Sequence, residues 1–342
     1  MKIIVDAMGG DNAPLAPVEG ALQAAETLGV EILLVGQQEA IQDSLRQLGR
    51  QSLPQGMEIV PASQVILVED NPARAFKDKP DASMTVGLRL LKEGKGAAFV
   101  SAGSTGALLS AATLMIKRIR GIRRAALAPL VPTASGNMVL IDCGATAEAT
   151  PEYLLQFAYM GSYYAKRFLG VPEPRVALLN IGAEPSKGMA LQKAAYDLLT
   201  QAHEAGRLHF VGNIEGREAI SQGVDVLVSD GFTGNIFLKA VEGAASLFSH
   251  SLKEMLLGST KNKMAALMLK SSIEDFKKRF DANEVGGTAL LGISQPVVKA
   301  HGSSNGYAFF NAIRQARVVA QSNIVQDIAD NVDYMRLDQK EA

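Results

Sequence analysis

The side chains able to do chemistry in this chain gather in six glycine-bearing turns, each at or next to a short run rich in valine, isoleucine and leucine. They read Asp6-Ala7-Met8-Gly9-Gly10-Asp11, Ser101-Ala102-Gly103-Ser104-Thr105-Gly106, Asp142-Cys143-Gly144-Ala145, Asn180-Ile181-Gly182-Ala183-Glu184-Pro185-Ser186-Lys187-Gly188, Gly212-Asn213-Ile214-Glu215-Gly216 and Ser229-Asp230-Gly231-Phe232-Thr233-Gly234-Asn235. Glycine lets backbone amides come close to a ligand and Ser or Thr hydroxyls add donors, so residues 101–106, at a helix start, can cradle an anion. In any one turn the plainer account, with Ser104 as a helix N-cap and the glycines as turn formers, weighs about equally. Six turns carrying Asp, Asn, Lys and Thr on one sheet edge shift the balance towards a phosphate site.

Of the four histidines, His203, His209 and His250 fall in or beside regular elements and read as structural. His301 lies in Lys299-Ala300-His301-Gly302-Ser303-Ser304-Asn305, a polar loop opening the next helix, where a hydrogen-bond donor or general acid is favoured. Cys143 is a poor nucleophile on paper, because the adjacent Asp142 raises a thiol pKa; it reads as a packed strand-end residue. Neither Gly-x-Gly-x-x-Gly nor Gly-x-x-x-x-Gly-Lys-Ser/Thr occurs, and residues 182–188 are only superficially like the second. No Asp-x-x-x-Asp pair sets two carboxylates on one helix face, so neither metal nor cofactor is expected.

Such turns need a scaffold that brings strand ends together. Apolar runs at 3–5, 32–35, 97–100, 139–141, 176–181, 209–211 and 226–228 read as strands buried on both faces. Helical stretches at 14–28, 83–92, 105–116, 151–168 and 187–205 lie between most of them, the pattern of an α/β fold with helices on both faces of a largely parallel sheet. Residues 126–131 and 138–142 flank a turn-rich 132–137 and read as a hairpin, which makes the sheet mixed. After residue 231 the chain turns mostly helical, at 235–257, 261–280 and 307–330. No Pro/Ser linker or repeat marks a boundary, so 1–342 reads as one α/β catalytic unit with a helical hairpin projecting at about 250–282. In open α/β sheets ligands bind beyond the carboxyl ends of the strands, which is where the six turns fall.

Lys and Arg (34) nearly balance Asp and Glu (35), so no overall field draws in nucleic acid or an anionic membrane. One cysteine excludes an internal disulfide and a cysteine metal cluster. The chain opens on a strand rather than a signal sequence, and no apolar run is long enough to span a bilayer; an intracellular protein is expected, with any membrane contact peripheral.

Taken in order, the opening Met-Lys-Ile-Ile-Val-Asp-Ala-Met-Gly-Gly-Asp, the 101–107 loop, 180–188, 229–239, Gly286-Gly287-Thr288-Ala289-Leu290-Leu291-Gly292 and 301–305 resemble bacterial phosphate acyltransferase, from the first residues to about 320. The resemblance implies transfer of a fatty acyl group from acyl-[acyl-carrier-protein] to inorganic phosphate, giving acyl-phosphate for phosphatidic acid and phospholipid synthesis. It also implies a fold similar to isocitrate and isopropylmalate dehydrogenases and to phosphotransacetylase, a homodimer, and a cytoplasmic enzyme at the membrane surface that feeds a membrane-bound glycerol-3-phosphate acyltransferase. One departure lies at 74–84, where Asp78, Pro80 and Ala82 interrupt a segment usually more basic and richer in serine. A carrier contact through that segment is put in doubt.

For such a reaction the anionic phosphate can attack the thioester without an enzyme nucleophile, provided it is held and the developing oxyanion is stabilised. On this reading Lys187, Asp230, Asn235, Lys239 and His301 carry the chemistry. His301 serves as a helpful but dispensable acid. Phosphate and substrate binding falls to Asp6, Gly9, Gly10, Asp11, Ser101, Gly103, Ser104, Thr105, Gly106, Asn180, Gly182, Glu184, Thr233 and Gly234; for Asp6, Asp11, Asn180 and Asp230 the assignment rests mainly on the resemblance. Leu256, Leu257, Met264, Leu267 and Met268 form a helical apolar stripe beside lysines, open to three readings: core, dimer interface or lipid contact. Rival functions are a phosphotransacetylase-like acyl-CoA:phosphate acyltransferase, a metal- and NAD-dependent dehydrogenase of the same fold, and a non-catalytic phosphate- or lipid-binding regulator.

Overall fold

A computed structural model describes residues 1–273 and 282–335. Its strands divide between two sheets. The first has seven strands in the order β3 (Met57–Pro61), β2 (Glu31–Gly36), β1 (Lys2–Asp6), β4 (Ala98–Ser101), β12 (Val297–Ala300), β11 (Gly287–Leu291) and β5 (Ala126–Ala128). The second has five, in the order β6 (Leu130–Thr133), β7 (Gly136–Ile141), β10 (Val226–Val228), β8 (Val176–Leu179) and β9 (Phe210–Ile214). Pairing is parallel except along β11 and between β6 and β7. The central apolar runs are buried on both faces, as parallel strands under helices require: Ile3, Ile4, Val5, Val226, Leu227 and Val228 are all inaccessible.

The expected hairpin is present, with Thr133 opposite Gly136, but its first arm breaks at Pro129. The residues before the break, β5, edge the first sheet, and those after it, β6, edge the second. The chain thus leaves one sheet at Pro129 and returns at Gly287, so β11 and β12 complete the middle of the sheet that the N-terminus began. These two strands correct the expectation of a mostly helical region after residue 231. They are short, and they are bounded by Gly286-Gly287 and by Pro296.

Helix Gly231–Leu257 has 27 residues, of which only Gly231 and Gly234 are buried. At about 1.5 Å per residue it extends roughly 40 Å. Helix Thr260–Met268 follows it, and helical residues continue to 273; the rest of the predicted 261–280 helix, and so part of the 250–282 projection, lies outside the described residues. Leu257, Met264, Leu267 and Met268 are exposed and Leu256 is half-buried, which removes the core reading of that stripe. Among the described residues no helix is long and apolar enough to cross a membrane.

Candidate active site

The carboxyl ends of the two sheets face one cleft of about 740 Å³. Its first-sheet wall is organised by a polar row across four neighbouring strands: Asp6 at the end of β1, Ser101 on β4, Lys299 on β12 and Thr288 on β11. Lys299 is in register with both Ser101 and Thr288. Ser101 Oγ donates to Asp6 Oδ2 at 2.6 Å and accepts from Gly103 N at 3.0 Å, while Met8 N donates to Asp6 Oδ1 at 3.1 Å. This triangle fixes both turns. Gly9 and Gly103 meet so closely that a Cβ on Gly9 would lie 2.6 Å from Gly103 N.

Asp6 is 1% exposed, and burial raises its pKa against the hydrogen bond from Ser101. Lys299 is 9% exposed; burial pulls its pKa down to about 8, opposed by the Asp6 and Asp11 carboxylates. Its Nζ donates to Ala102 O at 3.2 Å and to Ala300 O. The 301–305 loop is tied to the first turn by Asp11 N donating to Gly302 O (2.8 Å) and Asn12 Nδ2 donating to Ser303 O (3.1 Å) and Ser304 O (3.2 Å). His301 lines the cleft; its Nδ1 accepts from Ser303 N at 3.3 Å, which leaves the proton of the neutral ring on Nε2.

The second wall is built around Asp142. Its carboxylate accepts from the backbone N–H of Leu127 (2.8 Å), Cys143 (2.7 Å), Ala145 (3.2 Å) and Thr146 (2.6 Å). Burial raises its pKa to about 6 against those four bonds. Asp230 caps the long helix, accepting from Thr233 N at 2.8 Å. Gly234 lets that helix rest on the Asp142 turn, since a Cβ there would lie 2.0 Å from Asp142 O. From this footing Asn235 and Lys239 reach the cleft, Lys239 Nζ lying 2.7 Å from Glu242 Oε2. An exposed pair of that kind is worth little, so the ammonium can exchange its partner for a substrate anion. Cys143 also lines the cleft, but burial, Asp142 and Glu242 all push its thiol pKa up, as its neighbour predicted.

Of the residues singled out in the sequence, Thr105, Asn235, Lys239 and His301 line the cleft. Asp6, Gly9, Gly10, Asp11, Ser101 and Gly103 stand behind its first wall, in the strand-end turns just described. Asp230, Thr233 and Gly234 seat the helix of the second. Ser104 occupies the N-cap position of helix Thr105–Ala111 without a side-chain cap bond, and Gly106 packs against Pro72. Asn180, Gly182, Glu184 and Lys187 are not brought to the cleft walls. They form a turn after β8, closed by Asn180 Nδ2 donating to Lys187 O at 3.2 Å and tied to β9 by Asn213 Nδ2 donating to Glu184 O at 2.9 Å. Sequence reasoning missed Lys299 and Ser304 as site residues. The signal for Lys299 was a single lysine inside the apolar run Val297-Val298-Lys299-Ala300, a charge in a strand with no exposed face.

The sequence matches the family described as Fatty acid synthesis protein over residues 1–327. It is 44% identical over 340 residues to a phosphate acyltransferase of Lysinibacillus sphaericus, covering 99% of this chain and 100% of that protein. A phosphotransacetylase from Streptococcus pyogenes has a similar fold, with a TM-score of 0.60 at 19% identity over 93% of this chain and 94% of that one. A 4-hydroxythreonine-4-phosphate dehydrogenase from Klebsiella pneumoniae gives 0.53 at 14% identity over 94% and 98%. At such identities the two structures speak for the fold alone, and it is the phosphotransacetylase- and dehydrogenase-like α/β class expected.

Proposed function

This chain belongs to the phosphate acyltransferase family and is an acyltransferase, and on that premise we propose that it transfers a fatty acyl group reversibly from acyl-carrier protein to inorganic phosphate. The acyl-phosphate formed serves phosphatidic acid synthesis. The observation that carries this reading is a cleft rich in donors and lysines whose one thiol, Cys143, is held protonated. Phosphate attacks the thioester carbonyl, the tetrahedral oxyanion collapses, and the C–S bond breaks to release the carrier thiolate. Asn235 and Lys239 are assigned to the oxyanion, and His301 Nε2–H to donate a hydrogen bond to the departing thiolate sulfur, which takes its proton from water. Lys187, on the turn after β8, does not line the cleft and is assigned no step in the transfer.

The test is to incubate the protein with an acyl-carrier thioester and labelled phosphate and to follow free carrier and hydroxylamine-trapped acyl-phosphate. No phosphate-dependent release would sink the reading, and equal rates with a long-chain acyl-CoA would favour the acyl-CoA:phosphate alternative. Because a thiolate leaves readily, His301→Gln is expected to lower kcat by about tenfold rather than abolish it, as read in the same assay.

The exposed apolar residues of the long helix and of helix Thr260–Met268 after it divide by position. Phe232, Ile236 and Leu247, nearer the cleft, are assigned to a second copy of the chain, making a homodimer. Leu257, Met264, Leu267 and Met268, at the tip with Leu256, are assigned to the lipid surface, where a cytoplasmic enzyme could hand product to a membrane glycerol-3-phosphate acyltransferase. A chain with Leu267→Glu and Met268→Glu together should stop floating with anionic vesicles while keeping a dimer's mass by light scattering. A monomeric mass for that variant would move the tip to the dimer contact.

A further inference from the structure

The first-sheet wall of the cleft holds two groups with hydrogen-bonding capacity left over. Lys299 gives two hydrogen bonds, to Ala102 O and Ala300 O, and an ammonium has three hydrogens. Ser304 also lines the cleft; it is 4% exposed, yet its Oγ has no hydrogen-bond partner among the described residues. A buried hydroxyl left this way is costly, and the arrangement makes sense once an acceptor enters. Immediately beyond Ser304 starts the 16-residue helix Gly306–Gln321, whose positive dipole end adds to the same spot. The ammonium can only donate and the hydroxyl can donate as well, so one ligand rich in acceptor oxygens satisfies both.

Resting on the acyl-transfer reading above, we infer that Lys299 and Ser304 form the subsite that holds the attacking phosphate, across the cleft from Asn235 and Lys239, which are left free for the thioester. This shifts the phosphate from the 101–106 turn, whose Ser101 hydroxyl is already committed to Asp6, to the ends of β12 and its following loop. Asp6 and Asp11 favour the charged form of Lys299, while Lys239 and Glu242 on the facing helix, Cys143 and His301 are the other charged or titratable groups among the described residues that line the cleft.

The experiment measures phosphate KM, donor KM and kcat for Lys299→Met, Lys299→Arg and Ser304→Ala, alongside equilibrium dialysis of labelled inorganic phosphate. Lys299→Met should raise phosphate KM by about tenfold or more, and Ser304→Ala by about threefold, with the donor KM within about twofold of wild type. Above about pH 8, where phosphate is already a dianion, wild-type phosphate KM should climb as Lys299 loses its proton. Arginine does not titrate there, so Lys299→Arg should remove that climb, an outcome that a merely structural lysine would not produce. Unchanged phosphate KM in Ser304→Ala together with an unaltered pH climb in Lys299→Arg overturns the assignment, even if Lys299→Met fails to fold. Dialysis separates the two levels of the argument: phosphate binding lost on Lys299→Met in a protein that makes no acyl-phosphate would keep the subsite and discard the reaction.

Discussion

Replacing Asp142 with alanine is expected to destabilise the protein by about 3 kcal/mol or more and to reduce acyl-phosphate formation beyond detection. One carboxylate accepts from four backbone N–H groups, at Leu127, Cys143, Ala145 and Thr146, and its removal leaves three buried donors and one half-buried one to share whatever water can enter. Each orphaned donor costs about 1–3 kcal/mol before relaxation, so even a half-repaired turn loses more than a typical single substitution. The loss then propagates. Leu127 lies on β5 of the first sheet and Asp142 directly after β7 of the second, so this carboxylate is a bolt between the sheets beside the chain's own crossing at Pro129. Gly231 and Gly234 seat the long helix on the same turn, and a shift there carries Asn235 and Lys239 away from the cleft. Urea midpoints and Tm measure the first effect, and trapped acyl-phosphate the second. A variant with wild-type stability and activity would mean that the four N–H groups find other acceptors and that the turn is not a bolt. Asp142→Asn keeps one acceptor oxygen and should fall between the two.

What the sequence conveyed follows from which forces are local. Helix Ser83–Lys92 and strand Val226–Val228 match their expected bounds, because their apolar spacing reads out burial directly. Helices expected at 105–116 and 151–168 are also present, each finishing in a wider π turn, Ala112–Ile116 and Ala165–Leu169. Helix Gln38–Gln47 and strands β3, β11 and β12 escaped, the strands because four or five residues between turn formers give too short a pattern. The same shortness hid Lys299. Next to Ala300-His301-Gly302 a lysine looks like the start of a polar loop, and only the pairing of β12 between β4 and β11 turns it into a buried charge in the middle of a sheet.

Which turns share a cleft is likewise a property of strand order. The turns after β8 and β10 look alike in sequence, each with two glycines, an Asn and a carboxylate, yet β10 lies beside β7 and the sheet crossing while β8 lies one strand further out. Hence Asn235 and Lys239 line the cleft while Asn180 and Lys187 do not. No local signal distinguishes them, since the order is fixed by pairings between residues more than thirty positions apart, such as Val226 with Val139 and Val176. His301 was reachable from the polar loop around it, and the structure adds the reason its ring is oriented: Ser303, two residues on, holds Nδ1 from both its backbone and its hydroxyl.

Asp6→Asn is expected to raise phosphate KM by about tenfold at pH 7.5 and to move the basic limb of the pH profile to lower pH, while Asp6→Ala should fail more broadly. The carboxylate has two separable tasks. As an acceptor it binds Ser101 Oγ and Met8 N, and it fills the space against Gly9, where a Cβ would lie 2.7 Å from Oδ2. As a charge it is the first of the groups that hold Lys299 protonated against its own burial. Asparagine preserves size and one acceptor and deletes the charge. The lysine pKa, already drawn down to about 8, then falls further, and a larger share of the protein meets phosphate with a neutral amine. Alanine deletes both tasks, orphaning the Ser101 hydroxyl and the Met8 N–H beside a buried ammonium that has lost a countercharge, a combination of about 3–5 kcal/mol. The sign of the pH shift is the discriminating result: loss of a neighbouring negative charge can only lower a lysine pKa. An Asp6→Asn variant with the wild-type profile and wild-type phosphate KM would confine Asp6 to the geometry of the two turns, and would leave Lys299 to be held charged by Asp11 alone.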